Sequence, residues 1–405
     1  MEIFAKCPIL KEKVPRCFSD PLLRDELVAF KFELSVLNDD EIENLSSDSV
    51  PDDEFKFPIS KSFDSNFSKT NVLFQLLRQV KPNAGLTGII VDDNVVSDPV
   101  SVHDLIFKYW SAGFSEKHVD DDAISELLSF CKTFPEANFL LSFEEFLEVI
   151  KKCRDSAPGP DSIFYSTWRN MPVHILRHIY DCYCLWINGD PLPVNFNVSF
   201  LWVLPKGDSD NDSPDCCVRA LPKTRPLTGC NTIAKVFASA LNFVFNKVLP
   251  SWIEPEQTCI KGRSMISNVV ELLNHAQHMS DRTSKLALLL FDFCSAFPSL
   301  ARKFIFRVLE ASKLPPNIIN AIRELYKDND HYYAFGGIYK FVFTVFSGVR
   351  QGCPLSSAIF AIVTDPLILY IKAHLSKEAF FRAYCDDYAL ALKQVWRDLP
   401  TLAVV

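Results

Sequence analysis

Two adjacent aspartates, Asp386 and Asp387, interrupt an otherwise apolar stretch. Phe380-Phe381-Arg382-Ala383-Tyr384-Cys385 precedes them, and Tyr388-Ala389-Leu390-Ala391-Leu392 follows at once. Short apolar runs on either side of a polar pair predict a β-hairpin with both carboxylates at its turn. Carboxylates this close repel unless a cation lies between them. An all-oxygen donor set favours a hard divalent ion, Mg²⁺ with Mn²⁺ as the alternative. A third carboxylate, Asp292, ends a second strand-like run, Lys285-Leu286-Ala287-Leu288-Leu289-Leu290-Phe291.

The rest of the chain can build the core that such a site needs. Its 405 residues are 48% hydrophobic and include 34 phenylalanines, enough for two or three domains and too apolar for wholesale disorder. The 13 cysteines form no Cys-x-x-Cys pair. Cys182 with Cys184, and Cys216 with Cys217, suit neither a zinc site nor a disulfide framework, so reduced thiols in an intracellular protein are expected. The chain start lacks a secretory signal pattern, and the best apolar run, Ala358 to Ile371, is broken by Asp365. A soluble protein with no membrane partner is expected.

Charge is unevenly distributed. Residues 1–150 hold 14 basic against 28 acidic side chains, whereas residues 151–405 hold 28 against 22. Only the second part has a balance suited to a phosphate backbone. Residues 38–56 read as a solvated acidic loop. Helical spacing is visible at 71–80, 100–110 and 123–131. Ser142-Phe143-Glu144-Glu145 opens a further helix with a capping box. Ala157-Pro158-Gly159-Pro160-Asp161 forces a rigid turn. Helices at 173–187 and 232–248 flank a strand at 200–206. Beyond Asp292, helices at 303–314 and 316–328 lead to a strand at 339–346, then to an apolar helix at 358–374. This order predicts a mixed α/β (α+β) fold with an antiparallel sheet.

Taken singly, these elements have ordinary explanations. An Asp-Asp pair in a turn is usually solvated. His174 and His178 are spaced i,i+4 without the glutamate of a zinc-protease helix, and they read as structural, as do His275 and His278. Three carboxylates on two strand ends are a different matter, because that arrangement supplies the metal ligands of two-metal nucleotidyl transfer.

The order of the blocks is more specific still. Asp292-Phe293-Cys294-Ser295-Ala296-Phe297, Arg350-Gln351-Gly352-Cys353-Pro354-Leu355-Ser356 and Tyr384-Cys385-Asp386-Asp387 resemble motifs A, B and C of the reverse-transcriptase palm. Upstream, Ser156 to Asp161, Leu204-Pro205-Lys206, Lys223 to Leu227 with Lys235, and Gln257 with Gly262-Arg263-Ser264 resemble the fingers of the same family. They look most like the non-LTR (LINE-type) retrotransposon polymerases. The resemblance spans about residues 85–392 and is strongest from 142 onward.

The resemblance implies a right-hand polymerase with palm and fingers and a mixed or antiparallel palm sheet. Composition and charge give an acidic, partly disordered segment at 1–80; the resemblance implies a helical segment at 81–150, fingers at 151–285 and a palm at 286–405. The activity implied is RNA-directed DNA polymerisation, with an RNA template, a DNA primer and dNTPs as partners. Asp292 and Asp386 would bridge Mg²⁺ (or Mn²⁺), supported by Asp387 and the main-chain carbonyl of Phe293. Phe297 would pack against the sugar and exclude a 2′-hydroxyl. Gln351 and Gly352 would lie beside the incoming nucleotide, and Lys206 and Arg225 would meet its triphosphate. A nuclear or cytoplasmic ribonucleoprotein location is implied in the same way.

The sequence departs from the family at three points. Pro298 stands where many members have a second aspartate, and Ser162 replaces the glycine that commonly ends the Pro-Gly-Pro-Asp-Gly turn. The chain also ends 13 residues after Leu392, which leads to the expectation of a missing or truncated thumb. A catalytically idle palm–fingers remnant that binds nucleic acid or protein is the alternative.

Overall fold

The computed structural model describes residues 86–404 apart from 208, 210, 211, 213–215, 281–285, 336 and 337. The acidic loop and the helix expected within residues 1–80 lie outside the described residues.

The first described elements are a small hairpin, β1 (Gly88–Val91) and β2 (Asn94–Val96), and helix α1 (Pro99–Gly113). Asp98 caps α1 by accepting from the Ser101 amide, and Pro99 suits the first helical turn. Helix α2 (Asp121–Leu128) is capped by Asp120. Helix α3 (Phe143–Lys152) carries the expected capping box: Ser142 Oγ accepts from the Glu145 amide while the Glu145 carboxylate accepts from the Ser142 amide. Short α4 (Tyr165–Arg169) and α5 (Val173–Ile187) follow.

Next come β3 (Ser199–Pro205), β4 (Val218–Arg219), β5 (Thr224–Cys230), the long helix α6 (Thr232–Trp252), α7 (Met265–Ser280) and β6 (Ala287–Asp292). The chain continues through α8 (Ala296–Ser299), α9 (Arg302–Ala311), α10 (Pro316–Tyr326), β7 (Asp330–Phe335) and β8 (Ile338–Thr344). It closes with α11 (Ser356–His374), β9 (Phe380–Tyr384), β10 (Asp387–Leu392) and α12 (Val395–Val404).

Among the described residues the strands form three sheets, ordered β2-β1-β4, β5-β3-β7-β8 and β6-β10-β9. The last is wholly antiparallel, as expected. The other two each contain one parallel pair, β1 with β4 and β3 with β7. Order along the chain could not reveal those pairs, because the partners lie more than 100 residues apart. The β7–β8 hairpin thus completes the β3–β5 sheet, so strands from both sides of residue 285 share one layer.

The main core lies between α3, α5, α6, α9, α10 and α11. Phe146, Tyr183, Trp186 and Phe237 pack there ring against ring, with centroid separations of 5.0–6.4 Å. Helices α6 and α11 are long and apolar enough, by length and composition, to cross a bilayer, contrary to the sequence reading. Most of each is buried against the other helices. Asp365, which interrupts the apolar pattern of α11, is buried and forms an ion pair with Lys132 at 2.9 Å. Burial raises its carboxyl pKa, while the Glu254 amide and Lys132 offset that rise.

Helix α7 escaped the sequence reading. Its inward face is narrow, with Asn268, Leu272 and Met279 buried. Met265, Ile266, Val269, Val270 and Leu273 are exposed, which blurs the apolar period that normally announces a surface helix.

Candidate functional site

The three acidic residues singled out from the sequence meet at one end of the β6-β10-β9 sheet. Asp292 is the last residue of β6 and Asp387 the first of β10, and the two are directly paired in the antiparallel register. Asp387 also pairs with Tyr384 of β9, leaving Cys385 and Asp386 as a two-residue hairpin loop. Cys385 has φ +52°, the left-handed conformation that such tight turns demand. For a residue with a Cβ this costs on the order of 1–2 kcal/mol, so the turn must be held from outside.

The electrostatics follow from this crowding. Asp292 and Asp387 are exposed and Asp386 is half-buried. Burial is the main cause of a raised Asp386 pKa, and the negative charges of Asp387 and Asp292 raise it further. Its own backbone amide and the positive charge of Arg225 act in the opposite direction. Among the described residues, no three His, Cys, Asp or Glu side chains stand as a ready-formed metal cage. The donor set is nevertheless that of a hard divalent ion: carboxylate oxygens from adjacent strands, whose mutual repulsion such an ion would relieve. The main-chain carbonyl of Phe293 follows Asp292 directly, and the Phe293 ring packs edge-on against Tyr388, 5.1 Å between centroids.

Arg225 reaches this site from the β3–β5 sheet. It pairs with Leu204 in the antiparallel register, and the Lys206 amide extends the pairing by donating to the Lys223 carbonyl at 2.8 Å. Lys206 and Arg225 are both exposed, and no ion pair engages either among the described residues. Lys235 behaves differently. It is buried and donates to Ser156 Oγ and the Ala157 carbonyl, securing the turn before Pro158.

The loop from Gly348 to Leu355 joins these parts. The Thr228 amide of β5 donates to the Gln351 carbonyl at 2.8 Å. Gly352 has φ +106°, and a Cβ there would approach the Thr228 carbonyl oxygen to 2.9 Å. Gly348, at φ +75°, lies so close to α8 that a Cβ would collide with the Phe297 carbonyl. Glycine is therefore required twice, once against each neighbouring element. Phe297 itself is half-buried and packs on Phe360, 5.1 Å between ring centroids. Beside Gly352, a cleft of about 610 Å³ is lined by Trp202, Leu227 and Thr228, with Lys152, Arg154 and Lys261 among its walls.

Two features lay outside the sequence reading. Cys259 and Cys385, expected as free thiols, form a disulfide with Cα atoms 5.2 Å apart. Their separation of 126 residues concealed the pairing, which arises because residues 256–258 dock along the free side of β9. Gln257, grouped by sequence with the fingers, consequently lies under the carboxylate hairpin and is fully buried.

Residues 205–401 match the family model described as reverse transcriptase (RNA-dependent DNA polymerase). Over 345 residues, 80% of the chain, the sequence is 23% identical to the transposon TX1 uncharacterized 149 kDa protein of Xenopus laevis. Over 255 residues, 61% of the chain, it is 25% identical to the retrovirus-related Pol polyprotein from type-2 retrotransposable element R2DM of Drosophila melanogaster. The matched regions span 25% and 23% of the two relatives' lengths, so the chain corresponds to about a quarter of each.

Proposed function

We propose that this chain, whose residues 205–401 match a reverse transcriptase family model, adds deoxynucleotides to a primer 3′-hydroxyl on an RNA template. The observation that carries the proposal is the direct cross-strand pairing of Asp387 with Asp292, with Asp386 on the adjoining turn. Asp292 and Asp386, helped by Asp387 and the Phe293 carbonyl, would hold Mg²⁺ or Mn²⁺. When bound, the ions would supply Lewis-acid stabilisation to the attacking and leaving oxygens.

The remaining residues act on the substrate. Arg225 offers exposed positive charge to the carboxylate site, and Lys206, next to the β3–β5 pairing that carries Arg225, would add a second cation for a triphosphate. Arg225 already influences the field at Asp386. Gln351 supplies an amide that can donate and accept, and the missing side chain at Gly352 lets a nucleotide approach the backbone. Phe297 would present the exposed part of its ring to the sugar and disfavour a 2′-hydroxyl. The cleft beside Gly352, with its lysines and arginine, suits a nucleic-acid strand held through its phosphates. In this reading residues 151–285 supply most of the fingers and residues 286–405 the palm.

Primer extension on an RNA template with Mg²⁺ tests the assignment. The wild type is expected to incorporate dNTPs, and Asp386→Ala is expected to lose that activity. Equal signal from both proteins, or a preference for ribonucleotides, would overturn it. A folded wild type without incorporation would favour a non-catalytic binding module.

A further inference from the structure

The geometry points to Gln257 as the positioning residue for the Asp386 carboxylate, a role that rests on the polymerase reading above. Gln257 is 0% exposed and belongs to neither strand of the carboxylate hairpin. Its Oε1 accepts from the Cys385 amide at 2.9 Å and from the Cys259 amide at 3.1 Å. Its Nε2 donates to the Cys385 carbonyl at 3.4 Å. One side chain thus grips both polar backbone groups of the residue that immediately precedes Asp386. That residue is also the one in the left-handed conformation.

The glutamine is itself anchored. The Thr258 amide donates to the Ala383 carbonyl and the Ala383 amide donates to the Glu256 carbonyl, so its segment runs beside β9 as a short added strand. Asn268 of α7 donates to Thr258 Oγ1 and to the Ala383 carbonyl. The Arg263 guanidinium reaches the carbonyls of Pro250, Ile253, Glu254 and Gln257, tying the segment to the end of α6. This framework gives the buried amide a fixed aim. An apolar side chain of equal size would leave the Cys385 amide buried without a partner. The strained turn would then relax, and the carboxylate it carries would lose its place beside Asp292 and Asp387.

Gln257→Met removes the three bonds at nearly constant volume, and Gln257→Glu keeps the acceptor for the Cys385 amide. Both are compared with the wild type and Asp386→Asn in reductant, so that the Cys259–Cys385 link does not hold the turn instead. The readouts are hydrogen exchange of the Cys385 amide and binding of Mn²⁺ alone, followed by electron paramagnetic resonance. In Gln257→Met, Cys385 exchange is expected to quicken and Mn²⁺ affinity to fall, each by about tenfold, the equivalent of one hydrogen bond. Exchange in α6 and α11 should not change, and Gln257→Glu should retain protection at Cys385. Changes within twofold in Gln257→Met, or equally faster exchange throughout the fold, would overturn the positioning role. If the wild type itself fails to bind Mn²⁺, or Asp386→Asn binds it as well, the underlying metal-site reading fails. That failure is recognisable because it does not depend on any change at Gln257.

Discussion

Asp387 and Asp292 face each other across neighbouring antiparallel strands, each at the end of its strand nearest the hairpin turn. Their pairing puts two carboxylates at adjacent backbone positions, and the third, Asp386, is forced beside them by the two-residue loop.

Asp386→Asn is expected to raise the thermal midpoint of the metal-free protein near neutral pH and to abolish stabilisation by Mn²⁺. Burial and the charges of Asp387 and Asp292 raise the Asp386 pKa above the usual 3.8. A carboxyl raised in this way favours folding below its unfolded pKa. That contribution is lost as pH rises through the folded pKa, leaving a destabilising charge at neutrality. Thermal melts with and without Mn²⁺ measure both effects, and an unchanged Mn²⁺ shift would contradict the assignment of this carboxylate as a ligand.

His331 should give the fold an acid-sensitive component. It is wholly buried between β3, β5 and Phe343, with Nε2 beside Thr228 Oγ1. Burial, then the positive charge of Arg350, lowers its pKa from 6.5 to about 3. Its contribution is present above pH 6.5 and is lost as pH falls toward 3, at up to about 1.4 kcal/mol per pH unit. Urea denaturation across this range should show a shallower pH slope for His331→Gln, whatever its absolute stability.

Gly352→Ala is expected to destabilise the protein by roughly 1–3 kcal/mol, because its φ is left-handed and the new Cβ would press on the Thr228 carbonyl. Chemical denaturation reads that loss. Primer extension by the same variant should show a raised KM for dNTP, since the shift occurs next to Gln351.

Phe297→Ala should increase ribonucleotide use relative to deoxynucleotide use in primer extension. The ring's contact with Phe360 predicts a stability loss as well. Equal discrimination in wild type and variant would leave Phe297 as a packing residue only.

Protease digestion without reductant should yield a linked pair of fragments, one containing Cys259 and the other Cys385, that separates on reduction. Separate fragments under both conditions would show that the bond is absent in solution.

The parts legible in sequence were those with a local cause. The Ser142 capping box opens α3, and the apolar runs around Asp386-Asp387 form β9 and β10 where expected. Asp292 ends β6 as the run before it predicted. The acidic pair could be placed at a turn because strand, turn and strand are consecutive, and hairpin geometry acts over a few residues.

Other features depend on distant segments. The parallel pairing of β3 with β7, the burial of Asp365 against Lys132 and the Cys259–Cys385 bond join residues more than 100 positions apart. No local periodicity encodes such contacts. The same holds for Gln257, whose hydrogen bonds to Cys385 reach a turn 128 positions away in the chain.

The sequence by itself determined the identity of the three carboxylates, the strands that carry them and the glycine-bearing loop, because residue type and short-range pattern decide local conformation. Only the tertiary structure decided that Asp387 faces Asp292, that Arg225 acts on Asp386 and that Gln257 grips the turn before it. Those relationships arise from strand register and from packing between segments far apart in the chain, where burial leaves a polar group stable only if a specific partner meets it.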